Sequence, residues 1–127
     1  DFAPVAAWLE SQGVPVARDT GGSKSPSTRP VVRVLGGTMR VGTPLRVSYT
    51  VRAATSRTVE EIIIIRNGRP VGFDTTRLSR SRPGQVYFLD LMRRTPASFR
   101  GRIRACVVSV DQVGNTSARR CSVLRVV

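Results

Sequence analysis

The stretch from Ile103 to Leu124 constrains the fold more than any other part of the chain. It reads as two β-strands joined by a tight turn, with one cysteine on each strand. Asp111-x-x-Gly114-Asn115 supplies the turn, because Gly and Asn tolerate the positive φ angles that hairpin turns require. With Val113 and Gly114 at its centre, Cys106 and Cys121 fall opposite each other. Opposed residues on antiparallel strands stand ~4.5–5.5 Å apart at Cα, within reach of a disulfide. A disulfide implies an oxidising compartment.

The chain has 127 residues, which fits one domain of about 100 residues plus an extension. Hydrophobic residues make up 40% of it, enough for a packed core. No apolar run approaches the ~20 residues that a membrane helix needs, so the chain is not expected to span a membrane. Asp1 is preceded by neither an initiating Met nor a signal peptide, so a processed form or a fragment of a longer protein is expected.

Residues 1–16 read as a short helix: Asp1 can cap it, Pro4 suits a first turn, and Val5, Trp8 and Leu9 share one face. Gly13 and Pro15 would end it. So short a helix is not stable alone, so Trp8 is expected to pack on something. Residues 17–30 are rich in Gly, Ser, Thr and Pro and read as a linker. From Pro30 onward the pattern is β. Candidate strands are 31–35, 45–52, 61–66, 69–74, 85–92, 102–111 and 118–127. Turn signals separate them at Gly36-Gly37, Gly42-Thr43-Pro44, Asn67-Gly68, Pro83-Gly84, Pro96 and Gly114-Asn115. Leu45, Val47, Tyr49 and Val51 alternate with Arg46, Ser48, Thr50 and Arg52, which gives that strand one buried and one wet face. Asn67-Gly68 is a two-residue hairpin signal.

Seven short strands at this spacing point to a β-sandwich over residues 31–127. Here Asp111-x-x-Gly114-Asn115-x-Ser117, with its paired cysteines, resembles the last hairpin of bacterial immunoglobulin-like and fibronectin type III-like modules. The resemblance implies an all-β, immunoglobulin-like sandwich of about seven strands, and says little about activity. Antibody-type domains differ: their cysteines bridge the two sheets, whereas these two lie on one hairpin.

The resemblance puts Ile103, Ala105, Val107 and Ser109 toward the core. Cys106, Val108 and Val110 then face outward, as do two residues of the unbroken run Ile62-Ile63-Ile64-Ile65. A solvated face would carry polar side chains there. Burying such a side chain stabilises a contact by roughly 1.5–3 kcal/mol, so this face is expected to be covered. One candidate cover is the N-terminal segment through Trp8. The other is a second subunit or domain docking on Ile62, Ile64, Val108 and Val110. A third reading is a strand register off by one, which would exchange the two faces.

The chain contains no His, which removes Ser–His–Asp triads, His metal sites and His general bases. Two cysteines are too few for a structural zinc site. Glu60 and Glu61 are adjacent and would point to opposite faces of a strand, so they cannot flank one substrate bond. Asp111 is explained by the turn, and so is Asn115, although Asn115-Thr116-Ser117 fits a glycosylation sequon. No glycine-rich phosphate loop opens a helix. The reading is therefore a non-enzyme with no metal and no cofactor.

Net charge is +13, and every basic residue except Lys24 is Arg. A GC-rich genome produces such a ratio, so part of this charge is ordinary solvated surface. Two groups are candidates for more. Arg77, Arg80 and Arg82 share a polar loop. Arg93, Arg94, Arg100, Arg102 and Arg104 occupy another loop and the strand after it. Guanidinium groups hold carboxylate, sulfate or phosphate through paired hydrogen bonds. Aromatic content is only 6%, which argues against sequence-specific nucleic-acid reading and leaves acidic polysaccharide or another polyanion as ligand.

These readings converge on a non-catalytic, secreted or envelope-associated module that mediates protein assembly or adhesion. One alternative is an accessory C-terminal domain of a larger secreted hydrolase that holds acidic polymer, the helix at residues 3–12 belonging to the catalytic domain. Another is a subunit of an extracellular filament.

Overall fold

The computed structural model describes residues 29–53 and 57–127. Eight strands run in order: β1 (Val31–Leu35), β2 (Gly37–Met39), β3 (Leu45–Arg52), β4 (Thr58–Arg66), β5 (Arg69–Thr75), β6 (Tyr87–Met92), β7 (Gly101–Asp111) and β8 (Arg120–Val126). They form a three-stranded sheet, β1-β3-β6, and a five-stranded sheet, β2-β8-β7-β4-β5. Neighbours are antiparallel except β2 and β8, which run parallel. The expected immunoglobulin-like β-sandwich is the observed architecture. The expected N-terminal helix at 1–16 and nearly all of the linker lie outside the described residues.

The core follows from the alternation in the sequence. Val47, Tyr49 and Val51 of β3 point inward from the smaller sheet. They meet Ile62 and Ile64 of β4, Ile103, Ala105 and Val107 of β7, and Leu124 and Val126 of β8. Tyr49 and Tyr87 stack with ring centroids 6.2 Å apart.

The two hairpin signals act as read. Asn67 and Gly68 both take positive φ, 52° and 76°, the pair of angles a two-residue type I′ turn requires. In the last hairpin, Asp111 Oδ1 accepts from the backbone N–H groups of Val113, at 3.1 Å, and Asn115, at 2.7 Å. Gly114 has a φ of 93°. Cys106 pairs with Cys121 in register and the two form a disulfide, with Cα atoms 4.0 Å apart. Nearer the turn, Val110 bridges to Thr116, one residue out of step with the pairing at the cysteines.

Two expectations are corrected. The Gly36-Gly37 turn is in fact the point where the chain leaves the smaller sheet and enters the larger one as β2. A side chain at Gly36 would put its Cβ 2.9 Å from the Val123 carbonyl oxygen, so only glycine lets the chain pass this close to β8. The second correction concerns Ile62 and Ile64. Both are fully buried core residues, because they stand opposite Val107 and Ala105. The outward members of the run are Ile63 and Ile65, one residue out of step, and a one-residue slip exchanges every side chain between faces.

Candidate interaction surface

The outer face of the five-stranded sheet is built by the outward residues of β5, β4, β7 and β8. Register fixes how they line up. Phe73, Ile63, Cys106 and Cys121 form one row across four strands. Toward the start of β7, the next row is Pro70, Ile65, Arg104 and Val123, and beyond it Arg102 stands opposite Arg125, whose neighbour on β2 is Thr38. On the other side of the cysteine row, Thr75, Glu61 and Val108 follow.

This face is apolar in its middle and basic at one end. Ile63, Cys106 and Val108 are only 3%, 0% and 0% exposed, yet they point away from the core cluster. Their flanks stay open: Phe73 is 41% exposed and Val123 49%. Val110, further along β7, is half-buried. Of the expected docking residues, then, Val108 and Val110 lie on this face and Ile62 and Ile64 do not. Trp8 lies outside the described residues.

The expected arginines separate into two ends of the sandwich. Arg77, Arg80 and Arg82 sit on the exposed β5–β6 connection. That connection is pinned to the start of β4, where the backbones of Thr58 and Ser79 exchange hydrogen bonds of 2.8 and 3.0 Å. Thr58 stands opposite Asp111, at the far end of β7. Arg102 is nine residues back along that strand, ~30 Å away at ~3.3 Å per residue. Arg93 and Arg94 follow β6, and Arg100 closes the 3₁₀ turn at Ala97–Phe99 that leads into β7. Burial, and then the nearby Arg104, push the Arg119 guanidinium down.

Three features escaped the sequence reading. Arg125 belongs with Arg102, and the signal was available: the register that pairs the cysteines also pairs these two arginines. Phe88 is exposed on the outer face of the smaller sheet, with the Arg46 guanidinium 3.8 Å above its ring. Arg46 also donates to Asp90 at 2.8 Å, and these bonds hold the Asp90 carboxyl below its ordinary range. The third feature is the buried Glu60. Its Oε2 accepts from Thr58 Oγ1 at 2.6 Å and from Ser109 Oγ at 2.8 Å. Thr76 Oγ1 donates to its Oε1 at 3.3 Å. Glu61, next along the strand, faces outward, as the alternation predicts. Glu60 is thus a hydrogen-bonded structural acid. Among the described residues, no group of three or more His, Cys, Asp or Glu could hold a metal ion.

No family model matches this chain, and no curated protein matches it. Solved structures do match in fold. The fibronectin(III)-like modules of CbhA from Clostridium thermocellum align over 78% of this chain with 12% identity and a TM-score of 0.48. The chain spans 47% of that structure. The CARDB domain of the PF1109 protein from Pyrococcus furiosus aligns over 77% of this chain and 90% of its own length, with 14% identity and a TM-score of 0.39. The fold is immunoglobulin-like. That assignment rests on strand order and register.

Proposed function

We propose that this protein is a non-catalytic binding module that works outside the reducing cytosol and mediates protein assembly through the outer face of its five-stranded sheet. The observation that carries the reading is the pair of open apolar side chains, Phe73 at 41% and Val123 at 49% exposed, on an outer sheet face that solvent alone would keep polar. They supply apolar contact on either side of the buried Ile63 and Cys106, and Arg102, Arg104 and Arg125 border the face with positive charge. The partner that fits is a protein surface apolar at its centre and acidic at its rim. The Cys106–Cys121 disulfide supports a secreted or envelope location.

The test is native mass spectrometry of the protein as isolated from its source, without reductant. The expected result is a multimer, or a stoichiometric complex with an acidic chain, that Phe73→Lys and Val123→Lys each dissolve. A monomer, or a complex that both variants leave intact, overturns the docking face.

A second reading is favoured by the exposed arginines. Here the module is an accessory domain that holds acidic polymer for a larger secreted protein. This reading does not require the apolar face.

A further inference from the structure

Arg102 and Arg125 stand directly opposite each other on β7 and β8, both exposed and both on the outer face. Like charges at directly opposed positions destabilise a sheet. Arg104 lies two residues along the same face of β7 and adds a third positive charge. Among the described residues, none of the three has an acidic partner, and the Arg46–Asp90 ion pair lies on the other sheet. Arg102 and Arg125 line a groove of about 440 Å³ with Gly37, Thr38 and Val123, and Arg104 stands opposite Val123 in the next row. The groove exists because β2 crosses onto β8 and stops after three residues. Gly37 adds no side chain, and a Cβ there would meet nothing within 4 Å.

An uncompensated arginine pair at the rim of an open groove, with a threonine hydroxyl beside it, is a receptor for an oxyanion. The guanidinium groups would hold it through paired charge-assisted hydrogen bonds. Cross-strand neighbours are spaced by ~5 Å and alternate residues on a strand by ~7 Å. The three arginines therefore suit a ligand that repeats its negative charge at a similar interval. Neither of the two rows holding these arginines contains an aromatic side chain. Unpaired nucleic-acid bases are ordinarily held by stacking on such rings. In the oxidising setting proposed above, carboxylate-bearing polysaccharide is the polyanion that fits this groove.

We infer that Arg102, Arg104 and Arg125, with Thr38, form a binding site for the carboxylates of an acidic polysaccharide. The inference deepens the accessory-module reading and takes its compartment from the proposal above; it uses the arginines that border the docking face but does not need the exposed Phe73.

Calorimetric titration of the full chain with polygalacturonate tests it, with uncharged dextran as the blank. The expected result is binding that weakens steeply with added salt. Arg102→Ser/Arg125→Ser should lose at least tenfold in affinity. Arg33→Ser/Arg52→Ser, which removes the same charge from the smaller sheet, should change it less than threefold. Melting temperature shows that the first variant still folds, and it should rise, because an opposed like-charge pair has been removed. Equal losses in the two variants would mean that net charge alone binds the polymer and would overturn the site. No binding to polygalacturonate overturns it too. So does single-stranded DNA that binds more tightly and loses affinity through the same two arginines. Failure of the docking face leaves this titration unaffected, so the two ideas fall separately.

Discussion

Tyr49 shows how one residue inherits its chemistry from the fold. Burial first, then the negative Glu60 and the neighbouring Tyr87, hold its phenol well above the ordinary tyrosine range. The folded protein therefore keeps this proton at pH values where the unfolded chain has released it. The resulting stability is complete below about pH 10, the ordinary tyrosine pKa. It is lost as pH rises beyond that. Thermal unfolding followed from about pH 9 to 11 should show a falling midpoint that Tyr49→Phe flattens; parallel slopes for the two proteins would contradict this. Ile64 is 0% exposed and in the core, whereas Phe73 is exposed on the outer face. Ile64→Lys buries an unpaired charge and should cost more than ~4 kcal/mol, enough to unfold a marginal domain. Phe73→Lys should stay within about 1 kcal/mol of the parent. Circular dichroism melts decide between them, and equal costs would mean that the register of β4 is wrong.

At the scale of elements, the β7–β8 hairpin is the most constrained part of the structure. Its turn is held by Asp111 and its middle by the disulfide, with Cys106 and Cys121 separated by 15 positions. Closing a loop of that size should stabilise the fold by roughly 3 kcal/mol through the entropy of the unfolded chain. Replacing both cysteines with alanine should lower the urea midpoint accordingly. An unchanged midpoint would show that the ladder and turn hold the hairpin without the bridge. The other hairpin depends on positive φ at Asn67 and Gly68 instead. β2 depends on neither kind of signal. It has three residues, and its partner β8 lies more than eighty residues later in the chain.

For the whole molecule the dominant fact is charge. A net +13 on 127 residues exceeds what pairs such as Arg46–Asp90 can offset, so the arginines repel one another. Salt screens that repulsion, with a Debye length of ~10 Å at ~0.1 M. Raising sodium chloride from about 0.02 to 0.3 M should therefore lift the melting temperature by a few degrees. A fall would show that attractive pairs outweigh the repulsion. The same screening should weaken polygalacturonate binding, so salt separates stability from recognition by acting on them in opposite directions.

Much of this architecture is local chemistry. Alternation in 45–52, the Asn67-Gly68 and Gly114-Asn115 turns and the spacing of Cys106 and Cys121 each specify their element within a few residues. The sandwich class, seven of its eight strands and the disulfide were therefore legible without coordinates. What periodicity cannot specify is a run without period. Four consecutive isoleucines carry no marker of which two point inward, and only pairing with β7 put Ile62 and Ile64 in the core and Ile63 outside. The switch of sheet at Gly36 and the meeting of Thr38 with Arg125 likewise depend on strands far apart in the chain. Sequence determined the elements and the large positive charge. Tertiary structure decided which face each side chain occupies, and so gathered Arg102, Arg104 and Arg125 into one place, because register between distant strands is set by packing the core.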